Sequence, residues 1–146
     1  MRSYEAATRI DAGAEQVWAV LVDVGGWRDW KSGIDRVEGT VRLGAPLLLV
    51  ATGTRRRPLR ATVTEIRPAE SMRWHSGLPL DLFVAERTFR LDPQGDGSTA
   101  FTVREEYRGP LAPLMMRTVP DLNPAFRQFA VGLKARVEQR AAELSS

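Results

Sequence analysis

Residues 123–144 read NPAFRQFAVGLKARVEQRAAEL, and this stretch decides the fold. Asn123 can cap a helix, and Pro124 suits the first helical position that follows. The apolar residues beyond it recur at helical spacing and form one stripe along a helix of about twenty residues. They are Phe126, Phe129, Ala130, Leu133, Val137, Ala141 and Leu144. An amphipathic helix of this length needs an apolar surface on which to dock.

Most of the chain before this helix follows the period of two that is typical of strands. The predicted strands are residues 2–10, 34–42, 46–53, 59–67, 71–77, 83–91 and 98–108. The last six are separated by short turns, and connections of that length force antiparallel neighbours. After the first strand, residues 14–24 predict a helix that Gly25 and Gly26 end. Residues 27–31 predict a second short helix with Trp27 and Trp30 on one face.

These elements predict an α+β fold in which a seven-stranded, curved antiparallel sheet wraps around the long C-terminal helix. At 146 residues the chain fits one domain, residues 1–146. The sheet has one apolar face to cover, and the last helix is the large element available for that task. Because a curved sheet leaves space beneath a docked helix, a pocket is expected between them.

Composition narrows the setting in which the protein works. The chain has no cysteine, which excludes disulfides and thiolate metal sites and fits a reducing compartment. Its N-terminus lacks the apolar core of a signal peptide, and no apolar run approaches the roughly 20 residues that span a bilayer. We therefore expect a cytoplasmic protein with no integral membrane association.

The charge pattern argues against a nucleic-acid partner. The 21 basic residues are interleaved with 18 carboxylates, for a net charge of +3, and no segment forms a continuous basic face. The run Arg55-Arg56-Arg57 falls at a predicted hairpin corner. We interpret it as a solvated turn, with contact to a phosphate or an acidic partner as the alternative.

Four fragments follow one another in a characteristic order: AEQVWAVLVDV followed by GGWRDW, RPAESMRWHSG, FRLDPQGDGSTAFTV, and EEYRGPLAPL leading into the last helix. Together they resemble the START-like (SRPBCC) superfamily with the helix-grip fold, which includes the birch pollen allergen and a polyketide cyclase/dehydrase branch. The resemblance covers nearly the whole chain and implies a ligand-binding domain. Because members of the superfamily bind lipids, hormones or polyketides, and only some are enzymes, it leaves the chemistry open.

Two charged side chains are predicted on the inner face of the sheet. In residues 98–108 the more apolar set is Phe101, Val103, Glu105 and Tyr107, and in residues 83–91 it is Phe83, Ala85, Arg87, Phe89 and Leu91. If the turn pairs Phe89 with Phe101, Arg87 and Glu105 lie diagonal to each other and can form an ion pair.

Arg87, Glu105 and Tyr107 are therefore the candidate catalytic residues. Arg87 could hold a ligand carboxylate or polarise a carbonyl, with Glu105 as its partner or as a base, and Tyr107 could donate a hydrogen bond. The alternatives are a satisfied ion pair at the rim of the cavity and a tyrosine that only packs.

A set of aromatic and methionine side chains is predicted to converge between sheet and helix. Together with the polar candidates, the expected ligand-binding residues are Trp27, Trp30, Trp74, Arg87, Phe89, Phe101, Glu105, Tyr107, Met115, Met116, Phe126 and Phe129. The alternative is a filled core, which is the common fate of such residues. Prolines interrupt residues 110–124, so this segment is expected to act as a flap.

His75 is the only histidine, and the alternation of its strand points it away from the apolar face. A histidine metal cluster and a Ser/His/Asp triad are therefore excluded, and no carboxylates have a convincing ligand spacing. The glycines form neither a dinucleotide-binding nor a P-loop pattern. We predict no metal and no cofactor.

Three functions are consistent with these residues. The first is a binding module for a hydrophobic or amphipathic small molecule such as a lipid, isoprenoid or polyketide. The second is a cofactor-independent cyclase or dehydratase that uses Arg87, Glu105 and Tyr107. The third is a protein-interaction module without a small ligand. The sequence leaves homodimerisation open.

Overall fold

The structure, a computed structural model, describes residues 2–51 and 59–145. Its seven strands are β1 (Arg2–Ile10), β2 (Ile34–Glu38), β3 (Pro46–Ala51), β4 (Leu59–Arg67), β5 (Ser71–Gly77), β6 (Val84–Pro93) and β7 (Thr99–Arg108). Its α-helices are α1 (Ala14–Val22), α2 (Ala112–Met115) and α3 (Asn123–Ser145), and two 3-10 helices cover Val24–Asp29 and Pro79–Asp81. The predicted arginine run, Arg55 to Arg57, lies outside the described residues.

All seven strands form one antiparallel sheet with the order β1-β7-β6-β5-β4-β3-β2. Strands β2 to β7 follow each other as neighbours, as short turns require, and β1 pairs with β7 along its whole length. Register shifts between Ile34 and Arg36 in β2 and between Val63 and Glu65 in β4 mark irregularities of the bulge type, which bend strands. The sheet curls around α3, so the predicted helix-grip fold is confirmed.

Helix α3 begins where the sequence predicts. The Asn123 side chain accepts a hydrogen bond from the backbone N–H of Glu5, which ties the start of the helix to β1. The buried stripe consists of Phe126, Phe129, Ala130, Leu133 and Val137. The predicted stripe runs too far, because Leu144 at its end is exposed.

The core beneath α3 is a packed aromatic cluster. Trp27 stacks on Trp74 with ring centroids 5.5 Å apart and meets Phe129 edge-on at 4.9 Å. The ring centroids of Phe89 and Trp74 are 4.9 Å apart, and those of Phe101 and Phe129 are 6.1 Å apart. Each of these contacts falls in the range in which aromatic pairs stabilise a core beyond the area they bury.

Two predicted boundaries were wrong. Gly25 and Gly26 do not end helical structure, because both lie inside a 3-10 helix in which the N–H of Gly26 donates to the carbonyl of Asp23. Trp30 follows the end of that helix. Strand β2 stops at Glu38 and not at residue 42, because Gly39 has a φ of 112°, outside the strand region.

Gly132 is expected to be indispensable for the docking of α3. A Cβ atom at this position would lie 2.2 Å from the carbonyl oxygen of Lys31, a backbone atom that cannot swing aside. Gly132→Ala should therefore lower the free energy of unfolding by about 1–3 kcal/mol, against the helix propensity of alanine. Chemical denaturation measures the change. Val131→Ala, at a position that is 62% exposed on the same helix, serves as the control and should have little effect. A Gly132→Ala protein as stable as the wild type would contradict this packing.

Candidate functional site

The candidate site is built on one row of residues that crosses four neighbouring strands. Trp74 in β5 lies opposite Arg87 in β6, Arg87 lies opposite Glu105 in β7, and Glu105 lies opposite Tyr4 in β1. Because the pairing is antiparallel and in register, these side chains emerge on the same face of the sheet. It is the inner face, since Trp74, Glu105 and Tyr4 are all buried.

Arg87 and Glu105 form an ion pair inside the fold. The Nε of Arg87 donates to Oε2 of Glu105 at 2.7 Å, and the two side chains are 17% and 8% exposed. The pair is directly opposed and not diagonal, because the turn pairs Phe89 with Val103 and not with Phe101. The observed register differs from the predicted one by two residues, so every side chain of β6 and β7 stays on the predicted face.

Tyr107 completes the cluster from two residues further along β7. Its hydroxyl donates to the second carboxylate oxygen of Glu105, Oε1, so both oxygens of this buried carboxylate are occupied. Burial and the adjacent Glu105 carboxylate raise the pKa of Tyr107 far above its ordinary value. Tyr107 is therefore held as a neutral hydrogen-bond donor.

A small cavity lies beside Arg87. It has a volume of about 10 Å³ and is lined by Leu49, Leu59, Ala61, Trp74, Ser76, Arg87 and Glu105. The guanidinium carbon lies 5.1 Å from the ring centroid of Phe126, which belongs to α3. Among the described residues, the two Nη groups of Arg87 have no hydrogen-bond partner. They remain available to an acceptor.

The predicted aromatic residues mostly fill the interior. Trp27, Trp74, Phe89, Phe101 and Phe129 are buried in contact with one another. Within residues 2–51 and 59–145, the space lined by the Arg87–Glu105 pair is thus much smaller than a drug-sized ligand requires.

The remaining predicted residues lie at the margin of this core. Phe126 and Met116 are buried, whereas Met115 is only half-buried. Trp30 packs on Phe129 with ring centroids 5.2 Å apart and also lines an open groove of about 460 Å³ on the outer side of α3.

A second groove opens at the other side of the cluster, between the end of β7 and α2. Its volume is about 430 Å³, and Arg2, Tyr107 and Met116 contribute to its walls. The Nη1 group of Arg2 donates to the carbonyl of Met116 at 3.1 Å. The segment predicted to be a flap is therefore bonded to the first strand.

His75 takes no part in this cluster. It lies half-buried on the outer face of the sheet, opposite Glu86 in β6. In the described part of the chain, no three histidines, cysteines or carboxylates come together as metal ligands. No helix there is both long and apolar enough to cross a membrane.

Comparison with known families decides where this chain belongs. The sequence profile of the family described as polyketide cyclase/dehydrase and lipid transport matches residues 1–138. The chain belongs to this family. The family match confirms the resemblance to the polyketide cyclase branch of the START-like superfamily, whose fold binds hydrophobic ligands. A comparison with curated proteins gives no match.

Solved structures with the same fold include two enzymes. The Zhui aromatase/cyclase from Streptomyces sp. R1128 is 16% identical, with a TM-score of 0.73 over 96% of this chain and 95% of that chain. A point mutant of norcoclaurine synthase from Thalictrum flavum is 16% identical, with a TM-score of 0.72 over 96% of each chain. A protein from Thermus thermophilus is 19% identical, with a TM-score of 0.72 over 96% of this chain and 99% of that chain. At these identities the likeness shows the fold alone.

The sequence-based prediction missed two polar residues of the site, Tyr4 and Ser76, and the apolar lining of the small cavity by Leu49, Leu59 and Ala61. Tyr4 could have been found by counting back in twos from the buried Ile10, because Ala6 and Tyr4 share its face. Ser76 follows Trp74 by two residues and shares its inner face, but nothing in the sequence alone marks it as a neighbour of Arg87. Its place beside the small cavity depends on how β4, β5 and β6 curve together.

The buried ion pair can be tested by a double-mutant cycle. Glu105→Leu should lower the free energy of unfolding by about 3–5 kcal/mol, because Arg87 would stay inside the fold without its partner. Adding Arg87→Met should restore most of that loss. The outward pair Arg104–Glu106, with 45% and 38% exposure, gives the matched control, and Glu106→Leu should cost less than about 1 kcal/mol. Equal losses at Glu105 and Glu106 would contradict a buried pair.

The raised pKa of Tyr107 predicts a loss of stability in alkali. Above about pH 10, the ordinary pKa of tyrosine, the unfolded chain releases this proton while the folded chain keeps it. Fewer protons bound in the unfolded state mean that the free energy of unfolding falls with pH, by up to about 1.4 kcal/mol per pH unit for one group. Urea denaturation at several pH values should show a shallower decline for Tyr107→Phe. The same slope in both proteins would show that Tyr107 titrates normally.

Proposed function

We propose that this protein binds a hydrophobic or amphipathic small molecule between the sheet and α3, and that Arg87 holds a carboxylate or carbonyl group of that molecule. The observation that carries the proposal is the guanidinium group of Arg87. Its Nε is fixed by Glu105, its Nη groups have no hydrogen-bond acceptor among the described residues, and the Arg87 side chain lines the small cavity.

The energetic cost of the ion pair supports a functional role. An ion pair inside a fold rarely stabilises it more than an apolar pair of similar volume would, because both charges lose water. Glu105 accepts two hydrogen bonds and is fully used within the protein. Arg87 keeps donors in reserve, and a guanidinium group suits planar acceptors such as carboxylates.

Binding requires the interior to open, because the cavity beside Arg87 holds only about 10 Å³. The residues that can yield are Phe126 at the start of α3 and Met116 next to α2, both of which border the polar cluster. The segment before α3 carries Pro120 and contains only one turn of α-helix. A methionine adapts readily to irregular apolar ligands. We infer that this segment moves outward when the ligand enters.

The family supplies the candidate ligand classes. Its description joins polyketide chemistry with lipid transport, and one solved structure of the same fold is an aromatase/cyclase. Lipids, isoprenoids and flat aromatic polyketides are therefore the molecules to test. Members of each class that carry a carboxylate or carbonyl group offer an apolar body for the aromatic interior and an oxygen for Arg87.

The second candidate function is a cofactor-independent cyclase or dehydratase, which the contact between Tyr107 and Glu105 favours. Arg87 would stabilise an enolate oxygen, and Glu105 would move the proton. Because both oxygens of Glu105 already accept hydrogen bonds, one of them must first be released. Tyr107 is the group to release it, by turning its hydroxyl toward a ligand oxygen.

Competitive binding tests the proposal. The purified protein is mixed with an environment-sensitive apolar dye, which is then displaced by fatty acids, isoprenoids or aromatic polyketides. Saturable displacement of the dye at about one site per chain is expected. Arg87→Gln should lower the affinity for acidic ligands about tenfold or more. Arg104→Gln removes an arginine from the outer face of the same sheet and should change nothing.

The outcomes separate the two functions. Mass spectrometry of the recovered ligands shows whether they are unchanged, as for a binding module, or converted, as for an enzyme. Conversion that Glu105→Gln abolishes without loss of binding would establish the second function. No saturable binding by the wild type would refute both.

A further inference from the structure

Two buried polar atoms have no hydrogen-bond partner among the described residues: the hydroxyl of Tyr4 and the indole Nε1 of Trp74. Their residues are 5% and 2% exposed. Both lie in the row that contains the ion pair, in the cross-strand order Trp74, Arg87, Glu105, Tyr4. The two inner members of the row form an ion pair with each other. The polar atoms of the two outer members have no hydrogen-bond partner among the described residues.

Trp27 shows that the fold can satisfy an indole in this core. It stacks directly on Trp74, yet its Nε1 donates to the carbonyl of Leu21 at 3.1 Å. A buried donor without a partner destabilises a protein, so an unsatisfied atom in a native core calls for an explanation. Two such atoms at the ends of one functional row point to a common cause.

The chemistry of the row defines what would satisfy it. An indole N–H can only donate, as can the Nη groups of Arg87 on the next strand. Trp74 and Arg87 both line the small cavity, so together they suit one acceptor group. Tyr4 stands two strands from Arg87, which is roughly 10 Å across a sheet. Glu105 lies between them, and its carboxylate would repel an acceptor placed there.

We propose that Trp74 and Tyr4 are ligand-binding residues, and that the ligand carries two oxygen groups. The first is a carboxylate or carbonyl shared by Arg87 and Trp74. The second is a carbonyl or hydroxyl further along the ligand that Tyr4 binds, since its strand lies two strands, about 10 Å, from that of Arg87. The inference rests on the proposed function and narrows it, because a simple fatty acid has only the first group.

Two probes of equal length test this pattern: dodecanoic acid and a derivative with a ketone near its ninth carbon. The wild type should bind the oxo acid about three- to tenfold more tightly, the worth of one added hydrogen bond. Tyr4→Phe should abolish this preference and leave the affinity for dodecanoic acid unchanged. Trp74→Phe should lower the affinity for both acids by a similar factor.

Matched controls separate recognition from packing. Trp27→Phe removes an indole from the same stack, but its N–H is satisfied within the protein, so it should affect affinity less than Trp74→Phe. Tyr4→Phe should unfold at the same denaturant concentration as the wild type or a higher one, because it removes an unpaired hydroxyl. A purely structural role for Tyr4 would instead lower stability and leave the preference between the acids intact.

The outcomes also separate this inference from the function on which it rests. If the wild type binds both acids equally and Tyr4→Phe does not alter this, the two-oxygen pattern is wrong while the binding function stands. Equal effects of Trp74→Phe and Trp27→Phe would remove Trp74 from the ligand-binding residues. If the wild type binds neither acid and no other ligand displaces the dye, the proposed function fails and this inference fails with it.

Discussion

The structure depends on one constraint: two opposite charges are held inside the curved sheet. The alternation of β6 and β7 places Arg87 and Glu105 on the inner face, and the register sets them directly opposite each other. Glu105 then needs a second donor, which Tyr107 supplies, and the guanidinium group needs a cover, which Phe126 provides. The start of α3 and the end of β7 are thereby positioned around the pair.

The same constraint explains why the interior has two distinct halves. Under the middle of α3, Trp27, Phe89 and Phe129 pack as an aromatic core, on which Trp74 stacks. Toward the start of α3 the face becomes polar, and the buried groups there bind one another or have no partner among the described residues. A fold that needed only stability could have filled this end with apolar side chains, because a buried ion pair offers no advantage over them. This choice of residues supports our proposal that the ligand binds at the polar end.

Most of the fold could be predicted from the sequence, because the spacing of apolar residues differs between strands and helices. The period of two in the strands and the helical stripe after Asn123 define the elements, and short turns define their order. The alternation of side chains along β6 and β7 alone places Arg87 and Glu105 inward. An error of two residues in the predicted register therefore left their inward direction correct. Local geometry was harder, as the 3-10 helix through Gly25 and Gly26 shows.

The details of the site could not be predicted, because they depend on packing in three dimensions. No pattern in the sequence distinguishes a tryptophan that lines a cavity from one that fills a core, and Trp27 and Trp74 look alike until their N–H groups are compared. Whether Arg87 keeps free donors depends on where Tyr107 and Phe126 meet Glu105 and the guanidinium group. The family match gives the fold and the classes of ligand to test. At 16–19% identity, however, the roles of individual residues cannot be inferred from the solved structures.

The central claim, that Arg87 receives the ligand, can be tested directly by NMR of the arginine side chains. Protein labelled with ¹⁵N-arginine and ¹⁵N-tryptophan is titrated with dodecanoic acid, and the Arg87 and Trp30 signals are assigned by their absence in Arg87→Gln and Trp30→Phe. We expect the Nη signals of Arg87 to shift with saturation while its Nε–Hε stays bonded to Glu105. If the Arg87 signals stay fixed while the indole of Trp30 responds, the ligand occupies the outer groove and the account is wrong.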